Sequence, residues 1–220
     1  SYQVEIDDES LNVIHPQKNE KLPEWTKLDH KKCSNCPLKR EETPYCPVAV
    51  NLWKIVERTR DMVSYKTCMT YVHTSDRTFM KKADLQVGLF SLMGLLMGGS
   101  SCPHFKFLKP MLTFHLPFAS VDETLLRSAS FHLFKKWLDQ KKDPSVKIDF
   151  SELKNDYSQL EFVNMGILER LRSIPQKDGN KNALVLLNVF AQFFSMELNS
   201  DFSSLAKYFG IQNDEDDQLK

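Results

Sequence analysis

The sequence predicts an α+β domain that is mostly α, and three observations predict it. Apolar residues recur at helical spacing over most of the chain after residue 84. Short alternating runs of apolar and polar residues occur only before it. Between two of those runs, three cysteines crowd into one Pro- and Lys-rich connection. The expected architecture is a small N-terminal antiparallel sheet, a metal-binding Cys loop, and a bundle of four to five helices. Residues 1–212 are expected to form one domain. Its β-containing part with the Cys knot is 1–83, its helical bundle is 84–212, and 213–220 is an acidic tail.

Each element has a local reason. Tyr2, Val4 and Ile6 alternate with Gln3, Glu5 and Asp7, and Leu11 and Val13 follow an acidic turn. Two such short strands need partners. Those partners are expected in 64–74, where Tyr65, Thr67, Met69, Tyr71 and His73 share one face against Cys68, Thr70 and Val72, and in 77–83. All four strands would then form one sheet. Pro47 suits the first turn of a helix reaching about residue 62, with Val50, Trp53, Ile55 and Val56 as its apolar side.

The run 84–98 is apolar all round, so it is expected to be the central helix of the bundle. Ser120-Val-Asp-Glu123 reads as a capping box opening a helix to about 140, with Leu126, Ala129, Leu133 and Trp137 on one face. Helices at about 151–172 and 180–197 follow, then a short one at 201–209 that stops at Gly210.

Composition bounds the function. The 220 residues are 41% apolar and 26% charged, ordinary values for a globular chain. Formal net charge is zero, so no global field draws in nucleic acid or an anionic membrane. The first twenty residues are polar and acidic, unlike a signal peptide. The most apolar run, 85–97, is thirteen residues, where a bilayer span needs roughly 20. No membrane span is expected.

Three of the five cysteines fall within fourteen residues. His30, Cys33, Cys36 and Cys46 have the spacing H-x2-C-x2-C-x9-C, and zinc takes four such ligands in a tetrahedron. The expected cofactor is a structural Zn2+ on those four residues, in a compartment that keeps thiols reduced. Cys68, Cys102 or His104 stands as an alternative fourth ligand. An iron–sulfur cluster, a Cys33–Cys36 redox pair and unliganded thiols are the other readings. Cys46 begins a helix, and the partial positive charge there favours a thiolate. Lys27, Lys31, Lys32, Lys39 and Arg40 surround the knot, but Glu41 and Glu42 follow and stacking aromatics are few. A solvated basic loop is expected, not a nucleic-acid surface.

A second constellation follows the apolar run: Cys102, His104, His115 and Glu123, with Arg127 one turn beyond Glu123. A thiol with a histidine and a carboxylate is the material of a nucleophile, its base and its orienter. That reading requires Cys102, His115 and Glu123 to converge. Otherwise Glu123 only caps its helix, and His115 is a core histidine. His73 and His132 read as structural.

The segments CSNCPL, YCPVA, GLFSLMGLLMGGSSCPHFKFLKPM, FHLPF and VDETLLRS, in that order, resemble a bacterial family classed as a domain of unknown function. The resemblance covers most of 1–210. It implies a bacterial, cytoplasmic protein and carries no substrate, cofactor or catalytic residue. In that family the position of Ser101 is usually Gly, so Ser101 argues against a strained turn at Cys102. The resulting expectation is a non-catalytic, zinc-stabilised domain for interaction with a protein partner or for regulation. The alternatives are a cysteine-dependent hydrolase or transferase using Cys102 with His104 or His115, and a nucleic-acid or small-ligand sensor.

Overall fold

The computed structural model describes residues 1–14, 21–200 and 202–211. The tail expected at 213–220 lies outside them. In chain order the elements are α1 (Pro47–Thr59), β1 (Thr67–His73), β2 (Thr78–Asp84), α2 (Leu85–Gly98), α3 (Lys109–Thr113), α4 (Val121–Lys142), α5 (Ser151–Arg172) and α6 (Gly179–Asn199). Short 3-10 turns occupy Glu24–Thr26, Pro103–Leu108 and Ser203–Phe209. The fold is α+β and mostly α, as the sequence predicts.

Local signals place the helices. Pro47 stands in the first turn of α1, behind an extended Cys46. At α4 both halves of the capping box form: Ser120 Oγ accepts from Glu123 N at 3.2 Å, and Ser120 N donates to Glu123 Oε2 at 2.7 Å. The last 3-10 turn ends at Gly210, whose φ of 69° is left-handed.

The sheet is smaller than expected. Among the described residues it consists of β1 and β2 alone, antiparallel, with Tyr71 opposite Met80. The alternation along β1 is the predicted one, with the Tyr71 face exposed and Cys68, Thr70 and Val72 half-buried. The two N-terminal runs do not join it. They make one isolated bridge, Ile6 to Val13, and Val13 N donates to Gly99 O at 2.7 Å. The Lys109 ammonium then clips this loop by donating to Leu11 O, Asn12 Oδ1 and Ser100 O. Alternation told which residues were extended. It could not tell that the end of α2 offered carbonyls closer than the hairpin's edge.

α2 is central, packing on α1, α3, α6 and the hairpin, while α5 and α6 lie along each other. The core is built from Leu52 and Val56 of α1, Met93, Leu96 and Met97 of α2, Ile167 and Leu171 of α5, and Leu184 and Phe194 of α6. α4 turns inward a face only partly the expected one. Ala129 is buried and Leu133 half-buried as expected, but Leu125 and Ser128 are buried while Leu126 and Trp137 are exposed. α1 also ends earlier, and its buried stripe is Val48, Leu52, Ile55 and Val56, while Val50 and Trp53 are half-buried.

Candidate metal centre

The connection before α1 is wound around one buried cation. Arg170 projects from the last turn of α5 and is 1% exposed. Its Nη1 donates to Trp25 O at 2.8 Å and to Lys27 O at 2.6 Å, and its Nη2 to Leu28 O at 2.8 Å. The loop closes on itself where Leu28 N donates to Pro44 O and Cys46 N donates to Thr26 O. Carbonyl dipoles compensate a buried guanidinium only in part. Two buried donors here, Arg170 Nε and Trp25 Nε1, have no hydrogen-bond partner. Buried donors are almost always paired, so these two call for an acceptor.

Four thiols gather in this region, two of them within reach of that cation. Cys33 and Cys36 are half-buried, and Cys46 and Cys102 are buried. Each of the four lies within electrostatic reach of the other three, and Arg170 acts on Cys33 and Cys46. Four separate stretches of chain produce this meeting. Cys33 and Cys36 face one turn, in which Cys36 N donates to Cys33 O at 3.1 Å. Cys46 holds the N-cap position of α1, where the nearby Ala49 and Val48 N–H groups lower its thiol pKa against the larger effect of burial. Cys102 holds the N-cap position of the 3-10 turn Pro103–Leu108 with extended backbone, and the nearby His104 N–H lowers its thiol pKa against the larger effect of burial. His104 Nε2 lies 3.0 Å from Asn35 O, which ties that turn to the Cys33–Cys36 turn. α5 supplies the floor. A Cβ on Gly166 would stand 2.5 Å from Cys33 Sγ, so only glycine leaves Cys33 its seat.

Burial pushes the Cys102 thiol up to about 12 and the Cys33 thiol to about 11, and raises Cys46 as well. Without a ligand these groups are protonated thiols at neutral pH. A metal that binds them must displace those protons.

Of the predicted ligands, His30 makes its hydrogen bond elsewhere. Its Nε2 lies 2.8 Å from Ser173 Oγ, just past the end of α5, and Cys102 stands among the thiols instead. Among the described residues, no three or more His, Cys, Asp or Glu side chains are set to hold a single metal ion. The three local cysteines were legible from spacing. Cys102 carried a weaker signal that was available: Cys46-Pro47 and Cys102-Pro103 both put a cysteine before a helix-opening proline. Arg170, Trp25 and Gly166 carried none.

The second constellation disperses. Cys102 joins the thiols, and His104 goes to Asn35. Glu123 is spent on its cap, which holds its carboxyl below the usual range. His115 faces an apolar cavity with Arg127. No thiol–imidazole–carboxylate convergence of Cys102, His115 and Glu123 forms. Ser101 is absent from the positive-φ residues among those described, in keeping with its being Ser. His73 bonds Thr78 Oγ1 and His132 bonds Asp149 O, both structural contacts. In the basic loop Lys27 pairs with Glu24 at 2.7 Å and Arg40 with Asp29 at 3.3 Å.

Burial, with a smaller effect from Arg127, pulls His115 down to about 4. The unfolded chain therefore binds this proton between about pH 6.5 and pH 4 while the folded chain does not. Stability is full above about pH 6.5 and falls as pH drops towards 4, by at most about 3 kcal/mol. Urea melts at several pH values should show this loss, and His115→Gln should flatten the slope in that window.

A family model described as Domain of unknown function (DUF6901) matches residues 1–210. No curated protein and no solved structure matches the chain.

Proposed function

The chain belongs to the DUF6901 family, and from that premise we propose that it is a non-catalytic metal–thiolate protein with Cys33, Cys36, Cys46 and Cys102 as ligands. The supporting observation is the buried Arg170, with an unpaired Nε–H, which acts on Cys33 and Cys46 within a group of four thiols. Four thiolates around a divalent ion carry a net charge of about −2. That anion is the counter-charge a buried guanidinium lacks, since Arg170 acts on Cys33 and Cys46. The centre joins the 21–46 connection to α1, to the turn after α2 and to α5. Its job in this reading is to hold that connection in place.

Zinc fits four thiolates. An iron–sulfur cluster is the second reading, because it takes four cysteines and four thiols gather here.

The body around the centre serves a protein partner. Support comes from exposed apolar side chains in two places, Phe134 and Trp137 on α4, and Tyr71 and Met80 on the hairpin.

The test is anaerobic purification without chelator, then elemental analysis with an assay for acid-labile sulfide. One zinc per chain supports the zinc form. Iron with matching sulfide supports the cluster. Only traces of zinc, iron and sulfide would overturn the metal reading altogether.

A further inference from the structure

An apolar cavity of about 170 Å³, with no cysteine in its walls, lies between α2, α5, α6 and the segment from Phe105 to the start of α4. Phe90, Leu108, Leu112, Phe190 and Phe194 are among its walls. Part of the space exists because α2 carries Gly94 there, and a Cβ at that position would meet only Leu187 Cδ2, at 3.4 Å. The wall is not wholly apolar. Arg127, half-buried on the second turn of α4, lines it together with Thr124 and His115.

Among the described residues Arg127 makes one hydrogen bond, from Nη2 to Phe114 O, and Glu123 acts on it electrostatically. A guanidinium has five N–H donors in a fork that fits a carboxylate. The acid nearest in sequence, Glu123, is committed to the Ser120 cap. Phe118, which also lines the cavity, holds a left-handed φ of 62°. Strain of this kind at a bulky residue gathers at ligand clamps.

We propose that this cavity binds a small apolar carboxylate, its tail between α2 and α6 and its carboxylate on Arg127. The size sets the tail. A cavity of ~150 Å³ accommodates benzene, so this one takes a tail of roughly six to eight carbons. The acid end distinguishes the site from a packing void, because a void needs no cation in its wall. The site is separate from the thiol centre and does not depend on it.

The experiment is calorimetric titration of the full chain with straight-chain carboxylates of four to twelve carbons, with 1-octanol as the neutral control. The expected result is one saturable site, tightest at six to eight carbons, with octanoate preferred over octanol. Arg127→Gln should weaken octanoate by about tenfold or more, the scale of a charge-assisted bond, and leave octanol unchanged. Gly94→Ala, which leaves Arg127 in place and whose methyl has room, should shift the optimum to a shorter chain. Absence of saturable binding at any chain length overturns the proposal. So does octanoate binding that neither substitution alters.

Discussion

Cys102→Ser is expected to empty the metal centre, whereas His30→Ala is expected to leave it filled. The two substitutions separate the ligand set that spacing suggests from the one that the fold brings together. Cys102 is buried among the other three thiols, while His30 is held on Ser173. A serine hydroxyl is a poor ligand for a thiophilic ion, so metal content should fall to a small fraction of an equivalent. The melting temperature should fall with it. Loss of a structural metal belongs among the large destabilising effects, here about 3 kcal/mol or more, or ~10 °C for a chain of this size. Chelator-stripped wild type and Cys102→Ser should then melt together, because both lack the same tie. His30→Ala removes one side-chain bond and should cost about 1 kcal/mol with metal content unchanged. Metal retained in Cys102→Ser and lost in His30→Ala would return the fourth position to His30 and reject the set proposed above.

Arg170→Met should be the most damaging single change outside the cysteines. The methionine fills comparable space with no charge and no donors. Trp25 O, Lys27 O and Leu28 O lose their shared partner, and the winding of the connection before α1 loses its hub. Removing one side of a buried polar assembly costs about 3–5 kcal/mol. The sign of a second difference is more telling. If the thiols hold a metal, the centre is anionic and Arg170 is its counter-charge. The substitution should then cost more in the metal-loaded protein than in the stripped one, and metal affinity should fall. Urea unfolding of wild type and variant, each loaded and stripped, reads both quantities. Equal costs in the two states would show that Arg170 serves only the loop carbonyls.

How far these features could be read from the sequence depends on the range of the forces behind them. Helix starts are local. The Ser120–Glu123 box, Pro47 at the first turn of α1 and Gly210 at the last stop act through atoms a few residues apart. The alternation in β1 is local too, because it follows from the geometry of an extended chain. Which face of α4 is inward is not local. Its sequence is amphipathic in more than one direction, and the choice of Leu125 and Ala129 over Leu126 and Trp137 depends on what packs beside it. The N-terminal runs failed in the same way. Their extended character was legible, but their partner was Gly99 and the Lys109 ammonium, which no pattern within 1–14 could reveal.

The thiol site divides along the same line. The sequence alone marked Cys33, Cys36 and Cys46 as one group, because their spacing suits ligands of a single centre. It shows also that Cys46 and Cys102 each precede a proline, but not that Pro103 would open a turn of helix. The tertiary structure decided the rest. It brought Cys102 to the other three when the turn after α2 packed against the Cys33–Cys36 turn, through His104 and Asn35. It set Gly166 under Cys33 and Arg170 inside the loop, both from α5, more than a hundred residues along the chain. Spacing governs which ligands can meet within a loop. Burial and charge compensation govern which distant groups complete the set, and those arise only once the helices pack.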